Sequence, residues 1–193
     1  MIPRKLIVAV IALLFTVAGL GLYVFHLKHR AEQQPARPVE APPIAPPTAG
    51  PATTVTLFVA NDEDGRLSKR ELSLALPQDA SKRAQAVLHA LVRQYQEPSS
   101  SHPLGPEADV TEVYLVRDHL AVVDANAAFA STHRSGILVE ELTLASLAQT
   151  LAANLPVVTR IKLLIDGKER STLAGHADLL EPYDVAGAAR LAK

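Results

Sequence analysis

Residues 6–25 form a run of twenty without a charged side chain, and no other feature of the chain restricts its fold as strongly. Thirteen of the twenty are Leu, Ile, Val or Phe. A helix rises about 1.5 Å per residue, so the run matches the roughly 30 Å hydrocarbon core of a bilayer. At about −0.3 to −0.6 kcal/mol for each such residue near the membrane centre, insertion is favourable by several kcal/mol. The apolar region of a cleaved signal peptide spans about 7 to 15 residues and ends at small side chains. This run is longer and ends in Tyr23-Val24-Phe25-His26, with Ala18-Gly19 as the weaker alternative cut. It is read as a retained signal anchor forming a transmembrane helix. The chain has no cysteine, so a lipid-modified start is not expected. Arg4 and Lys5 precede the run, and Lys28 and Arg30 come after it. Counted with the amino terminus, this balance narrowly favours a cytoplasmic N-terminus of residues 1–5 and an extracytoplasmic remainder.

Residues 26–52 read as a linker. Pro35, Pro38, Pro42, Pro43, Pro46, Pro47 and Pro51 lie here, half of the fourteen prolines in the chain. With few large apolar residues the segment cannot bury a core. Proline fixes φ and favours an extended, semi-rigid chain, and the proline-bearing residues 31–52 at about 3.1 Å per residue reach on the order of 70 Å. The remaining 141 residues suffice for one domain with a substantial core. Residues 1–52 hold five Lys/Arg against two Asp/Glu, a net +3, and the remainder holds fourteen against eighteen, a net −4. An acidic domain argues against nucleic acid, whose binding needs Lys and Arg at phosphates. Its five aromatics, Phe58, Tyr95, Tyr114, Phe129 and Tyr183, are thin material for stacking on bases or sugars.

Periodicity gives the elements. Val55, Leu57 and Val59 alternate with Thr54, Thr56 and Phe58, and Leu72, Leu74 and Leu76 alternate after a polar turn. Period two with one apolar face is a half-buried strand. Asp79 or Ser81 caps a helix whose stripe is Ala84, Val87, Leu88, Leu91, Val92 and Tyr95, and Pro98 stops it. Val113, Leu115, Leu120 and Val122 mark a second strand pair, and residues 129–136 read as a loop. A second helix is expected over residues 138–154, with Leu142, Ala145, Leu147, Ala148, Leu151 and Ala152 on its apolar side. Ile161, Leu163 and Ile165 open a third pair, and Asp166-Gly167 is a type I′ hairpin signal leading into residues 168–173. Hairpins alternating with helices predict an α+β domain, a mainly antiparallel sheet with two helices packed on one face.

Several motifs suggest chemistry. Asp62-x-Asp64-Gly65-x5-Glu71 imitates a calcium loop, but Ala60 stands at the first ligand position and the flanks read as strands, so a hairpin turn is expected. His176 with Asp178 invites a metal or catalytic role. A zinc site needs at least three ligands, and His89, His102, His119 and His133 lack ligand spacing, so His176 is read as part of a structural turn. Ser99, Ser100 and Ser101 have no strained-turn context for a nucleophile. Glu140 and Glu141 could be a glycosidase pair, but helical neighbours diverge by about 100°. They are read as stabilising the helix N-terminus. No catalytic, cofactor-binding or metal residue is assigned.

The second helix and the residues after it resemble the GerMN domain of bacterial sporulation, germination and other envelope proteins. The resemblance lies in Glu140-Glu141-Leu142, Leu144, Leu147, Thr150-Leu151, Pro156-Val157-Val158, the strand over residues 161–165, Asp166-Gly167-Lys168 and Leu173-Ala174-Gly175-His176, with Leu179 and Pro182 closing. Upstream, Leu57-Phe58, Asp64-Gly65-x-Leu67 and Glu71 look like the first hairpin of that pattern. The resemblance covers about residues 53–183, leaving residues 184–193 as a tail. Where the pattern has Gly-Pro after its first helix this chain has Glu97-Pro98 and a serine-rich loop over residues 99–106. The resemblance implies a non-enzymatic, cofactor-free envelope module that associates with itself or with other envelope proteins. The alternatives are an accessory domain for peptidoglycan or a small ligand, and an envelope hydrolase.

Overall fold

The computed structural model describes Leu20, Tyr23, residues 52–117 and residues 119–191. The chain divides into two compact units, Met1–Ala45 and Pro46–Lys193. In the first, Leu20 and Tyr23 are helical and exposed. The rest of the expected transmembrane run, and the proline-rich linker up to residue 51, lie outside the described residues. Among the described residues no helix is long and apolar enough to cross a membrane.

The second unit is α+β. Strands β1 (Ala52–Asn61) and β2 (Arg66–Ala75) form a hairpin, followed by helix α1 (Ala80–Gln96). Strands β3 (Val110–Val116) and β4 (Leu120–Ala125) lead to a short helix α2 (Ala127–Ser131) and the long helix α3 (Ile137–Asn154). Strand β5 (Arg160–Ile165), the two-residue β6 (Tyr183–Asp184), helix α4 (Val185–Ala188) and a 3-10 turn over Ala189–Leu191 complete the order. Asp79 caps α1 through a 2.8 Å bond from the Lys82 N–H, and all six residues of the expected stripe are buried. Glu97 leaves the helical region just before Pro98, as the restriction on a residue preceding proline requires.

The strands form two sheets, not one. β1 and β2 make a two-stranded antiparallel ribbon, and the other sheet has the order β3-β4-β5-β6. α1 packs on β1 and β3, and α3 packs on α1 and β1, so one core joins both sheets. The expectation of a single sheet fails because polar side chains of α3, not a further strand, occupy the open edge of β1.

The third hairpin needs a similar correction. Asp166 and Gly167 both take positive φ, 51° and 70°, and Ile165 and Lys168 exchange two backbone bonds, so the turn forms. No strand succeeds it. Residues 168–171 are Lys-Glu-Arg-Ser and exposed, with no apolar alternation to hold against a core. β5 instead runs parallel to β4, with Val123 opposite Leu163. In the second strand pair Val113 of β3 is buried as expected, but the core face of β4 lies one residue off. Ala121, Val123 and Ala125 face the core, while Leu120 and Val122 are half-buried on the opposite face. The loop expected at residues 129–136 begins within α2, where the Asn126 side chain accepts from the Phe129 N–H at 2.9 Å. The tail packs too: Gln149 Nε2 donates to the Val185 carbonyl, and Ala188 is buried.

Candidate functional site

The chemistry-bearing residues of α3 fall into three groups. The first is a ladder. Ser146, Thr150 and Asn154 recur every four residues, which places them on one helical face. That face lies along the edge of β1 turned away from β2. The Asn154 side chain accepts from the Thr56 N–H at 3.0 Å and donates to the Thr56 carbonyl at 2.7 Å, as a peptide group of a neighbouring strand would. Thr150 Oγ1 accepts from the Phe58 N–H at 2.9 Å, and Ser146 Oγ donates to the Phe58 carbonyl at 2.6 Å. The Ala60 N–H donates to Tyr95 Oη at 3.0 Å, and Tyr95 passes its own proton to Ser146. Burial pushes the Tyr95 phenol up to about 12. Buried strand groups left without partners would each cost on the order of 1–3 kcal/mol, so this ladder is what lets β1 end its sheet inside the domain.

The second group is the Glu140 carboxylate, which is fully buried. One oxygen accepts from the N–H groups of Ala174 at 3.0 Å, His176 at 3.0 Å and Ala177 at 2.9 Å. The other accepts from Gly136 N–H at 3.1 Å and pairs with His176 Nδ1 at 2.9 Å. Burial raises the carboxyl's pKa, but the Ala174 and Ala177 N–H groups, the His176 ring and the His176 N–H outweigh it and hold it at about 2. Glu140 thus pins residues 174–177 onto the start of α3. Glu141 is exposed and points elsewhere. Asp178 Oδ1 accepts from the Leu180 N–H at 2.8 Å within its own turn.

The third group joins four segments. Asp62 Oδ1 lies 2.5 Å from His102 Nδ1, and His102 Nε2 lies 2.8 Å from Thr143 Oγ1. Thr143 Oγ1 lies 2.6 Å from His133 Nε2, and His133 Nδ1 lies 2.7 Å from the Arg134 carbonyl. Arg134 Nη1 donates to the second Asp62 oxygen at 3.0 Å. The His102 ring stands edge-on to Tyr95, with centroids 4.7 Å apart. His102 and Thr143 are 1% and 0% exposed, so no substrate reaches them. The serine-rich loop delivers His102 into this site; Ser100 Oγ accepts from the His102 N–H at 3.2 Å.

The other sequence candidates are dispersed. Asp64 Oδ1 accepts from the Arg66 N–H at 3.0 Å and Gly65 takes φ 68°, completing a hairpin turn. Glu71 pairs with Lys69 at 2.8 Å on β2, away from both aspartates' partners. His89 contacts the Val110 carbonyl at 2.5 Å, and His119 the Val157 carbonyl at 2.9 Å. Among the described residues no group of three or more His, Cys, Asp or Glu is placed to hold a metal ion. Sequence reasoning missed the ladder and the histidine chain. Their trace was visible: Thr143, Ser146, Thr150 and Asn154 interrupt an apolar helix at spacings of three and four.

What remains open is β2. In an antiparallel ladder both backbone groups of one residue point to the same side. Thr56, Phe58 and Ala60 turn theirs to α3 and Tyr95, so the alternate residues of β1 pair with β2. By the register, Arg66, Ser68, Arg70, Leu72 and Leu74 face β1. Leu67, Lys69, Glu71 and Ser73 therefore present their backbone groups to an edge on which no strand pairs among the described residues.

The family described as Germane, sporulation and spore germination, matches residues 56–171. The chain belongs to this family, the GerMN-domain family. No curated protein matches the chain. The tandem GerMN domains of the sporulation protein GerM from Bacillus subtilis superpose with a TM-score of 0.50 at 17% identity, covering 67% of this chain and 45% of that one. The first GerMN domain of the same protein gives 0.47 at 17% identity, covering 67% of this chain and 94% of that one. A candidate lipoprotein from Clostridium perfringens gives 0.47 at 18% identity, covering 78% of this chain and 98% of that one. At these identities the likeness speaks to the GerMN fold alone.

Proposed function

We propose that this GerMN chain is a single-pass cell-envelope interaction module, anchored by residues 6–25 and held outside the cytoplasmic membrane on its proline-rich spacer, with no chemical step of its own. The observation that supports this most is the open edge of β2. It belongs to a ten-residue strand whose partner β1 is fixed on its far side by α3. A free edge on a rigid ribbon is a template for an added strand, with backbone bonds giving affinity and side chains giving selectivity. Lys69 and Glu71 would make the selection. Glu140, the histidine chain and the ladder serve the interior, where buried groups committed to one another are not poised for catalysis.

Proline at Ser73 tests the reading. The Ser73 N–H points outward, so its loss removes an edge donor without touching the ladder to β1. Ser73→Pro should leave the unfolding midpoint nearly unchanged and abolish the chain's activity in its host. A folded, correctly localised Ser73→Pro and Lys69→Pro double variant with full activity would refute the edge as the working surface. Protease added to spheroplasts should digest the chain beyond residue 31; protection until the membrane is opened would refute the orientation.

A second reading, an accessory site for peptidoglycan or a small ligand, draws on a polar recess of about 330 Å³ lined by His89, Arg93, Gln96, Glu107, Asp109 and Asn126. Its size lies at the lower end for ligand pockets and it is open to solvent, so it ranks below the edge.

A further inference from the structure

The buried chain from Asp62 to the Arg134 carbonyl contains four contacts between polar atoms, at 2.5, 2.8, 2.6 and 2.7 Å. Each needs one proton to be a bond. With Asp62 ionised and both rings neutral, the chain owns three: one on each imidazole and one on Thr143. No choice of tautomer removes the deficit. Moving the His133 proton to Nε2 leaves its Nδ1 lone pair against the Arg134 carbonyl. Moving the His102 proton to Nε2 leaves Nδ1 against a carboxylate. Thr143 also lies 3.1 Å from the Val139 carbonyl, which adds a demand and no supply. Two lone pairs in contact at a buried site are an unmade bond and a repulsion together.

We propose that this chain holds one proton beyond its neutral complement, shared by His102 and His133 through Thr143, and that this proton clamps the β1–β2 turn onto α3 and the two loops. The charges around it fit one extra proton and not two. Asp62 supplies one negative charge from the turn, and Arg134 already pairs with its second oxygen. Tyr95 faces His102 from α1 as a neutral phenol. Glu140 on α3 acts on His133 from a distance, its carboxylate already bonded by four backbone N–H groups and the His176 ring. A second proton would set two cationic rings 5.8 Å apart, with one carboxylate between them and water. Asp62 comes directly after Asn61, the last residue of β1, so the clamp also fixes the tip from which the open edge of β2 begins.

The consequence for pH has two sides. Burial lowers both rings from 6.5 and outweighs what opposes it, the Asp62 carboxylate at His102 and the Arg134 carbonyl at His133. The missing bond also opposes it, for the first proton only, and completes the chain. On this proposal the bond that the proton completes outweighs burial, so it is held more tightly folded than unfolded, and its stabilisation is present below 6.5 and is lost as pH rises through the folded value. The second is held less tightly, so the folded state is favoured above 6.5 and loses ground as pH falls. Stability should therefore peak near neutral pH.

Imidazole ¹⁵N shifts of the full-length chain in neutral detergent micelles read the protons directly. At pH 7.5 the four ring nitrogens of His102 and His133 should show three N–H groups, one of them exchanging between the Nε2 atoms. Two N–H groups and two bare nitrogens would overturn the proposal. Urea titrations give a second measure. Relative to Thr143→Val, which lacks the bridging hydroxyl, the folded-to-unfolded ratio should fall by up to tenfold per pH unit above 6.5. A ratio that parallels the variant's from pH 6.5 to 8.5 would also overturn it. If Thr143→Val does not fold, His133→Gln takes its place, and the wild-type shifts decide alone.

Discussion

Replacing Glu140 by Gln should remove a pH-dependent part of the domain's stability that can be worked from the structure. The carboxyl is held at about 2 against an ordinary 4.5, a depression of about 2.5 units. One unit corresponds to about 1.36 kcal/mol, so the ionised group favours the folded state by about 3 kcal/mol at pH 7. No discount for solvent applies, because the side chain is fully buried. A depressed carboxyl stabilises above its unfolded pKa, and the gain is lost as pH falls from 4.5 toward 2. At pH 3 about 1 kcal/mol should remain, and by pH 2 almost none. Glutamine keeps the shape but turns an amide toward N–H donors and cannot titrate. Urea unfolding of wild type and Glu140→Gln at pH 7, 5, 4 and 3 measures the difference, with the other carboxylates cancelling between the two. The gap should be about 3 kcal/mol at pH 7 and narrow steeply below pH 4.5. A gap under about 0.5 kcal/mol at pH 7 would place Glu140 among ordinary surface sites and refute the pinning of residues 174–177. A large gap that stays constant down to pH 3 would mean that the substitution only disturbs packing.

Three further outcomes are expected of the interior. Leu147 and Leu163 are 1% and 2% exposed in the same core, so truncation of either to Ala should cost about 2 to 5 kcal/mol in equilibrium unfolding. Thr150→Val keeps the volume but strands the Phe58 N–H, and should cost about 1 to 3 kcal/mol, with faster amide exchange at Phe58 as the local signature. Calcium should not bind the β1–β2 turn, because Asp62 is committed to His102 and Arg134 and Asp64 to its own turn; calorimetry finding a site tighter than about 10⁻⁴ M would contradict this.

Local elements were legible in the sequence because each rests on short-range physics. The α1 stripe, its Asp79 cap, the β1 alternation and the Asp166-Gly167 turn depend on residues within a few positions of one another, and all form where periodicity places them. The family was legible through the pattern that runs from Glu140 to His176. His176, read as part of a structural turn, has its partner, Glu140, 36 residues away.

Only the tertiary structure decided which strands are neighbours and which polar groups meet. The two sheets, the parallel β4–β5 pairing and the loss of the third hairpin turn on competition for an edge, and periodicity is blind to that competition. Ser146, Thr150 and Asn154 read as blemishes on an apolar helix until β1 lies beside them, 88 to 98 residues away in sequence. His102 and His133 had no spacing to link them, because Thr143, whose hydroxyl they share, comes from a third segment. Sequence thus determined the elements and the family. The fold determined that Asp62, His102, His133 and Glu140 turn inward and find partners there, while the backbone of β2 is left open.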